Sequence, residues 1–89
     1  MTRNLLRTLE EFAVSVRMAS NLVVVMTAPG HAAAVARAID LAPNDDVIGT
    51  VAGDDTIFVA TPNQDVAGRL AATWTETTTA EVGSNHDGQ

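Results

Sequence analysis

Two runs of apolar, β-branched residues, separated by a glycine and two aspartates, constrain the fold of this chain more than any other feature. They occupy residues 47–60, and Gly53-Asp54 stands between them. Glycine followed by aspartate between two such runs indicates a two-residue hairpin turn, which requires positive φ at its first central position. The sequence therefore predicts a β-hairpin in which Gly53 forms the turn and the carboxylates of Asp54 and Asp55 stand at the tip.

The size and charge of the chain narrow its function. A chain of 89 residues forms one domain, which buries only about 60% of its unfolded surface, so we expect oligomerisation to add stability. The net charge of −6 argues against a direct nucleic-acid surface and favours a cationic ligand. Cysteine is absent, which excludes thiolate metal sites, and no apolar stretch approaches the roughly 20 residues that span a bilayer. We expect a cytoplasmic protein without a membrane partner.

Two apolar segments nearer the N-terminus predict a first hairpin. Residues 22–26 form a continuous apolar run, and Ser20-Asn21 supplies the turn before it, because Asn tolerates the left-handed region. Residues 12–18 alternate in character, which is typical of a half-buried strand. The alternation places four apolar side chains on one face of this strand: Phe12, Val14, Val16 and Met18.

Apolar residues at helical spacing predict one helix after each hairpin. The first helix covers residues 31–42 and ends before Pro43, since the residue before a proline is disfavoured in a helix. The second covers residues 64–75, with Asn63 or Thr61 as its N-cap. The predicted domain therefore spans residues 12–75. Residues 1–11 are a lead-in, either a short helix or an approach to the first strand, and the polar residues 76–89 are expected to be a disordered acidic tail.

The order hairpin, helix, hairpin, helix predicts an α+β fold. Such a ββαββα chain forms a four-stranded, mainly antiparallel sheet with both helices on one face. The opposite face then has no cover. In a chain that is 46% hydrophobic we expect that face to contact another subunit.

The same segments resemble the C-terminal domain of the bacterial arginine repressors. The resemblance rests on Asn-Leu-Val-Val-Val at 21–25, Ala-Pro-Gly at 28–30, Ala-Arg-Ala-Ile-Asp at 36–40 and, above all, Gly-Thr-Val-Ala-Gly-Asp-Asp-Thr-Ile at 49–57. It covers residues 9–74. It implies a two-layer, DCoH-like fold, a trimer that doubles to a hexamer, and L-arginine bound between the trimers as co-repressor. No cofactor and no metal are implied.

The resemblance also implies which residues contact the ligand. Asp54 and Asp55 face the guanidinium, whose planar fork a carboxylate matches and a lysine ammonium does not. Thr50 and Ala52 correspond to positions that contact the amino-acid end of the ligand, Ala52 through its backbone. Asp40 corresponds to a contact with the α-amino group. Its negative charge near the end of a helix opposes the helix dipole, which favours a functional role.

Two features depart from the family pattern. Three residues after Gly30 the better-known relatives carry Gln or His, which reaches the ligand, whereas this chain has Ala33. His31 does not replace that contact, because residues two apart on a helix point to different sides. We therefore expect an altered ligand pose or weaker binding. Such repressors also carry an N-terminal winged helix-turn-helix domain, and no basic recognition helix precedes Phe12. We expect an isolated sensing and assembly domain that reaches operator DNA only through that missing domain.

The residues alone leave two other functions open. In the first, Asp54 and Asp55 are the catalytic or Mg²⁺-binding pair of a small metal-dependent enzyme. No nucleophile or phosphate-binding loop accompanies them, and adjacent residues on a strand point to opposite faces, so we do not expect an enzyme. In the second, the chain is a constitutive oligomerisation module without a ligand, and both aspartates are turn formers at a solvated tip. We favour the arginine sensor of a repressor of arginine metabolism genes.

Overall fold

Residues 3–86, which the computed structural model describes, form three helices and one four-stranded sheet; side chains are described for residues 3–78. The elements, in chain order, are α1 Arg3–Phe12, β1 Ala13–Ala19, β2 Leu22–Thr27, α2 Ala32–Leu41, β3 Gly49–Ala52, β4 Thr56–Ala60 and α3 Gln64–His86. All neighbouring strands are antiparallel, in the order β1-β2-β4-β3. The predicted α+β fold with two hairpins is confirmed, and a helix precedes the first strand. None of the described helices is long and apolar enough to cross a membrane.

The core lies between the helices and one face of the sheet. Val23 and Val25 of β2 are fully buried, as are Ile57 and Val59 of β4. These residues pair across the two central strands, Val23 with Val59 and Val25 with Ile57. Because successive strand residues point to opposite faces, the four side chains share the face that the helices cover. Trp74 of α3 is also fully buried and is the largest side chain in this core.

Helix α1 belongs to the core. Leu5 and Leu9, which are four residues apart and therefore on one side of the helix, are only 1% and 0% exposed. They lie in the same apolar cluster as the residues of α2 and α3. Phe12, at the end of α1, packs against this cluster and is partly buried. Two conformations were left open for the lead-in, and it forms the helix, from Arg3 onward.

The apolar alternation predicted for β1 is wrong at the start of the strand. A β-bulge between Ala13 and Ser15 leaves Val14 without a cross-strand partner, and Val14 is 68% exposed. Beyond the bulge the alternation holds, because Val16 and Met18 pair with the buried Val25 and Val23 on the face that the helices cover, although Met18 is 42% exposed. The extra residue of a bulge shifts the phase of the alternation. A sequence pattern does not reveal this shift. The apolar residues still alternate along the chain, and the bulge changes only the sheet face on which they lie.

The two hairpin turns differ in conformation from the predicted turns. The first has two residues, as predicted, but Ser20 rather than Asn21 has positive φ, at 60°. The second connects β3 to β4 through residues 53–55, and Gly53 is not among the described residues with positive φ. The predicted two-residue turn at Gly53-Asp54 is therefore wrong. The Gly53 N–H donates to the carbonyl of Thr56 at 2.8 Å, so this bond encloses Asp54 and Asp55 instead.

The end predicted for the second helix also differs. Asn63 caps α3 as predicted, because its Oδ1 accepts a hydrogen bond from the Val66 N–H at 2.9 Å. The helix does not end at residue 75 but continues to His86. Residues 76–86 of the predicted disordered tail are therefore helical, and 87–89 lie outside the described residues. Threonine hydroxyls of α3 donate to carbonyls one turn back, Thr73 to Arg69 at 3.0 Å and Thr77 to Thr73 at 3.2 Å.

The sheet face opposite the helices is mostly apolar and carries no helix from residues 3–86. Cross-strand pairing aligns one residue of each strand in a row across this face, which we call the open face: Arg17, Val24, Phe58 and Val51. Phe58 is 48% exposed and Val51 is 71% exposed. The uncovered face expected from the order of the elements is thus present.

Candidate functional site

The residues predicted to contact a ligand fall into two groups at opposite ends of α2. Asp40 and Thr50 form the first group, at the C-terminal end of the helix. Asp54 and Asp55 form the second group, at the β3–β4 connection next to Ala32, where α2 begins. We call residues 53–55 the tip. With a rise of 1.5 Å per residue, the helix separates the two groups by about 12 Å.

The first group is a hydrogen-bonded pair. The hydroxyl of Thr50 donates to Oδ1 of Asp40 at 2.8 Å. This bond fixes the direction of the carboxylate, which is otherwise exposed to solvent. A carboxylate has about four acceptor positions, so it retains capacity for an ammonium group. The structure thus brings together two residues that lie ten positions apart in the sequence.

The tip is attached to the domain through backbone carbonyls. The carbonyl of Asp54 accepts hydrogen bonds from the N–H groups of Gly30 at 3.1 Å and Ala32 at 3.2 Å, and the carbonyl of Asp55 accepts one from Thr27 at 2.8 Å. The first N–H groups of a helix have no partner within it, so the Asp54 carbonyl satisfies donors at the start of α2. Sequence reasoning missed these contacts because every residue type carries the same carbonyl.

The two carboxylates of the tip have different surroundings. Asp54 is exposed, whereas Asp55 is half-buried and its Oδ1 accepts a hydrogen bond from the hydroxyl of Thr56 at 3.0 Å. The same hydroxyl lies 3.5 Å from Sδ of Met26, and with a single hydrogen it serves one acceptor at a time. Thr56 was not among the predicted site residues. Its position directly after the two aspartates is the signal that points to it.

A shallow apolar pocket of about 270 Å³ adjoins the tip on the open face. Its lining residues are Val51, Ala52, Gly53, Thr56 and Phe58. This volume is slightly below the roughly 300 Å³ at which small-molecule pockets usually begin. Ala52 therefore borders the pocket beside the tip.

Ala33, which departs from the family pattern, and His31, which does not replace its contact, have definite positions. Ala33 is exposed on α2 and offers no polar side-chain atom. The ring of His31 stacks on the ring of Phe12, with centroids 4.5 Å apart and an interplanar angle of 17°. His31 is therefore oriented toward the end of α1.

The described residues offer no metal centre at the tip. Among the side chains of residues 3–78, no three or more His, Cys, Asp or Glu are grouped so as to hold a metal ion. Mg²⁺ and Ca²⁺ take six or more oxygen ligands, and the adjacent carboxylates of Asp54 and Asp55 supply only part of such a set.

Comparison with known proteins adds independent evidence. The model of the arginine repressor C-terminal domain family matches residues 9–76. The chain is 52% identical over 69 residues to the arginine repressor of Anaeromyxobacter sp. (strain Fw109-5), covering 78% of this chain and 44% of that protein. It is 48% identical over 64 residues to the arginine repressor of Koribacter versatilis, covering 72% of this chain and 43% of that protein. The arginine repressor of Thermotoga petrophila is 48% identical over 58 residues, covering 65% of this chain and 38% of that protein. The chain thus spans less than half the length of these relatives.

The matched region contains both groups of predicted site residues and leaves most of α1 outside. The relatives are named arginine repressors, which are transcriptional regulators and not enzymes, in agreement with the prediction from the sequence. The family match covers more than half of the chain, and the resemblance drawn from the hairpin motif is confirmed. The chain therefore belongs to the arginine repressor C-terminal domain family.

Proposed function

We propose that this chain is the L-arginine-sensing and oligomerisation domain of a cytoplasmic transcriptional repressor of arginine metabolism genes. Arginine binds between two trimers, acts as co-repressor and favours the hexamer. An N-terminal winged-helix domain of the longer protein contacts operator DNA. The observation that carries this proposal is the tip, where adjacent carboxylates project from a backbone anchored by three hydrogen bonds.

The chemistry of the tip suits a guanidinium. Each charge-assisted hydrogen bond between a guanidinium and a carboxylate contributes about 1.5–3 kcal/mol when it is shielded from water. The backbone carbonyls of Asp54 and Asp55 are already bonded to α2 and to the segment that precedes it, so little ordering of the loop opposes binding. Lysine has one compact ammonium and no planar fork, so it is selected against.

The separation of the two groups favours a ligand site shared between subunits. Asp40 and Thr50 lie at the far end of α2 from the tip, about 12 Å along the helix axis. In our proposal the tip of one subunit holds the guanidinium, and the Asp40–Thr50 pair of a facing subunit holds the amino-acid end. Ligand binding then joins subunits, as a co-repressor that drives assembly requires.

The open face favours association of the trimer. Phe58 and Val51 are exposed there beside Val24, in an 89-residue domain that buries little surface by itself. We propose that this face contacts other copies of the chain within the trimer. The same observation supports a second candidate, a constitutive oligomer that needs no ligand, and the experiment below separates the two.

Sedimentation of the chain with and without L-arginine tests the proposal. L-lysine controls for charge without a planar fork, and citrulline controls for the fork without charge. We expect a shift from trimer to hexamer with arginine alone. If assembly is indifferent to all three compounds, titration calorimetry decides: heat with arginine indicates a preformed hexamer with a working site, and its absence identifies the constitutive module.

Asp54→Asn provides the residue-level test. We expect it to weaken arginine binding about tenfold, because it removes one charge-assisted hydrogen bond, while the thermal unfolding temperature stays within about 2 °C. Asp65→Asn removes the same charge from an exposed position in the first turn of α3 and is the matched control. Equal affinities for the two variants would exclude the tip as the guanidinium site, and loss of folding in Asp54→Asn would assign the side chain to the turn.

A further inference from the structure

The end of α1 is in contact with the residue that starts α2. Phe12 is the last residue of α1, and its ring stacks on His31 at a centroid distance of 4.5 Å. His31 is the N-cap residue of α2, and its side chain makes no capping hydrogen bond. The imidazole therefore contributes to this end of the helix through the stack and not through a cap.

The residues on either side of His31 hold the tip. Gly30 and Ala32 both donate their N–H groups to the carbonyl of Asp54, at 3.1 and 3.2 Å. The positive φ of Gly30, at 85°, belongs to this turn. A movement of the His31 backbone thus changes the geometry of both hydrogen bonds at once.

A second connection runs from the tip to the same end of α1. The carbonyl of Asp55 accepts from the N–H of Thr27 at 2.8 Å, and Thr27 pairs with Ala13 across the β1–β2 ladder. Ala13 directly follows Phe12. Both routes from the tip therefore converge on the junction between α1 and β1. The Asp54 route ends in the ring stack of His31 on Phe12, and the Asp55 route ends in the strand pair of Thr27 with Ala13.

We propose that Phe12 and His31 are positioning residues of the arginine site, which make docking of α1 and occupancy of the tip interdependent. This inference rests on the proposed function. Two states differ: with α1 docked, the stack fixes His31 and hence the Asp54 carbonyl, and with α1 undocked the tip loses that support. A ligand that binds the ordered tip more tightly favours the docked helix, and by linkage the docked helix raises ligand affinity by the same factor.

Hydrogen exchange without ligand tests the mechanical part. In Phe12→Ala we expect the amides of Gly30 and Ala32 to exchange at least about fivefold faster than in Leu70→Ala, which truncates a buried residue of α3 and is the control for general destabilisation. Equal acceleration in both variants would overturn the inference. His31→Ala should reproduce the effect, and His31→Phe, which keeps a ring for the stack, should restore exchange to the original rate.

Exchange with saturating arginine tests the coupling. We expect arginine to slow the exchange of α1 amides at least about fivefold in the original chain and to have no such effect in Phe12→Ala. Arginine affinity should fall by a similar factor in Phe12→Ala and recover in His31→Phe relative to His31→Ala. Binding of arginine without any change in α1 exchange would overturn the coupling and leave the proposed function intact. Failure of arginine to bind the original chain would instead overturn the proposed function, and the ligand-free exchange then decides whether Phe12 and His31 position the tip.

Discussion

Gly30 and Gly53 lie at two ends of the contact between α2 and the tip, and their backbone conformations differ. Gly30 has a φ of 85°, in a region that disfavours any residue with a Cβ, although an added Cβ would meet no atom within 4 Å. Gly53 has no positive φ, and a Cβ there would lie in ordinary contact with the Thr56 carbonyl, at 3.7 Å. Only Gly30 is required by the backbone.

Alanine at each position tests this difference. Gly30→Ala should lower the free energy of unfolding by about 1–2 kcal/mol, wholly from the left-handed conformation. Gly53→Ala should leave the free energy unchanged or raise it by up to about 1 kcal/mol, because alanine restricts the unfolded chain. Urea denaturation of both variants gives the comparison, and a larger loss for Gly53→Ala would contradict the turn described above.

Residue types indicate the candidate chemistry of the site but not its construction. Acidic side chains next to a hairpin turn make Asp54 and Asp55 candidates for a cationic ligand, and the position of Asp40 near a helix end makes its carboxylate another candidate. The hydrogen bond between Thr50 and Asp40, and those of the tip carbonyls, depend on which segments meet in space. A single sequence does not carry that information, since neither partner is specified by its neighbours in the chain.

Among the elements, α1 was ambiguous from its sequence for a physical reason. A ten-residue helix is marginal by itself, and its formation depends on packing of one apolar stripe. Leu5 and Leu9 provide that stripe, and α2 and α3 provide the surface on which it packs. The end of α3 was predicted to be disordered, because its threonines show no apolar period, and it is nevertheless helical.

Truncation of α1 side chains measures what the helix contributes. Leu9 is fully buried, so Leu9→Ala should lower the free energy of unfolding by about 2–5 kcal/mol. Leu6→Ala, at a half-buried position of the same helix, is the matched control and should cost clearly less. Chemical denaturation followed by circular dichroism gives both values. Equal small losses would show that α1 does not belong to the cooperative core.

At the scale of the whole molecule, the order of elements determined the architecture. Two hairpins, each followed by a helix, place the helices on one face of the sheet and leave the other face open, and this much was predictable from hydrophobic period alone. The distance between the tip and the Asp40–Thr50 pair was not predictable in this way, because it depends on the length of α2 and on where each hairpin meets that helix.

A charge on the open face tests the proposed association. Phe58→Asp should weaken self-association at least about 100-fold, because burial of an unpaired carboxylate costs several kcal/mol. The monomer should stay folded, since Phe58 is already 48% exposed in the single chain. Ala72→Asp puts the same charge on the exposed side of α3 as a control. Sedimentation that shows the same assembly for both variants would exclude the open face as the interface.

In the proposed arginine site, Asp54 and Asp55 use their carbonyls for folding and their carboxylates for recognition. Their carbonyls anchor the tip to Gly30, Ala32 and Thr27, and every amino acid carries such a carbonyl. Selection can therefore alter the side chains at these two positions while the hydrogen bonds that build the hairpin persist. If specificity resides at the tip, as we propose, new side chains there would give a sensor for another metabolite, and the architecture around them would be inherited unchanged.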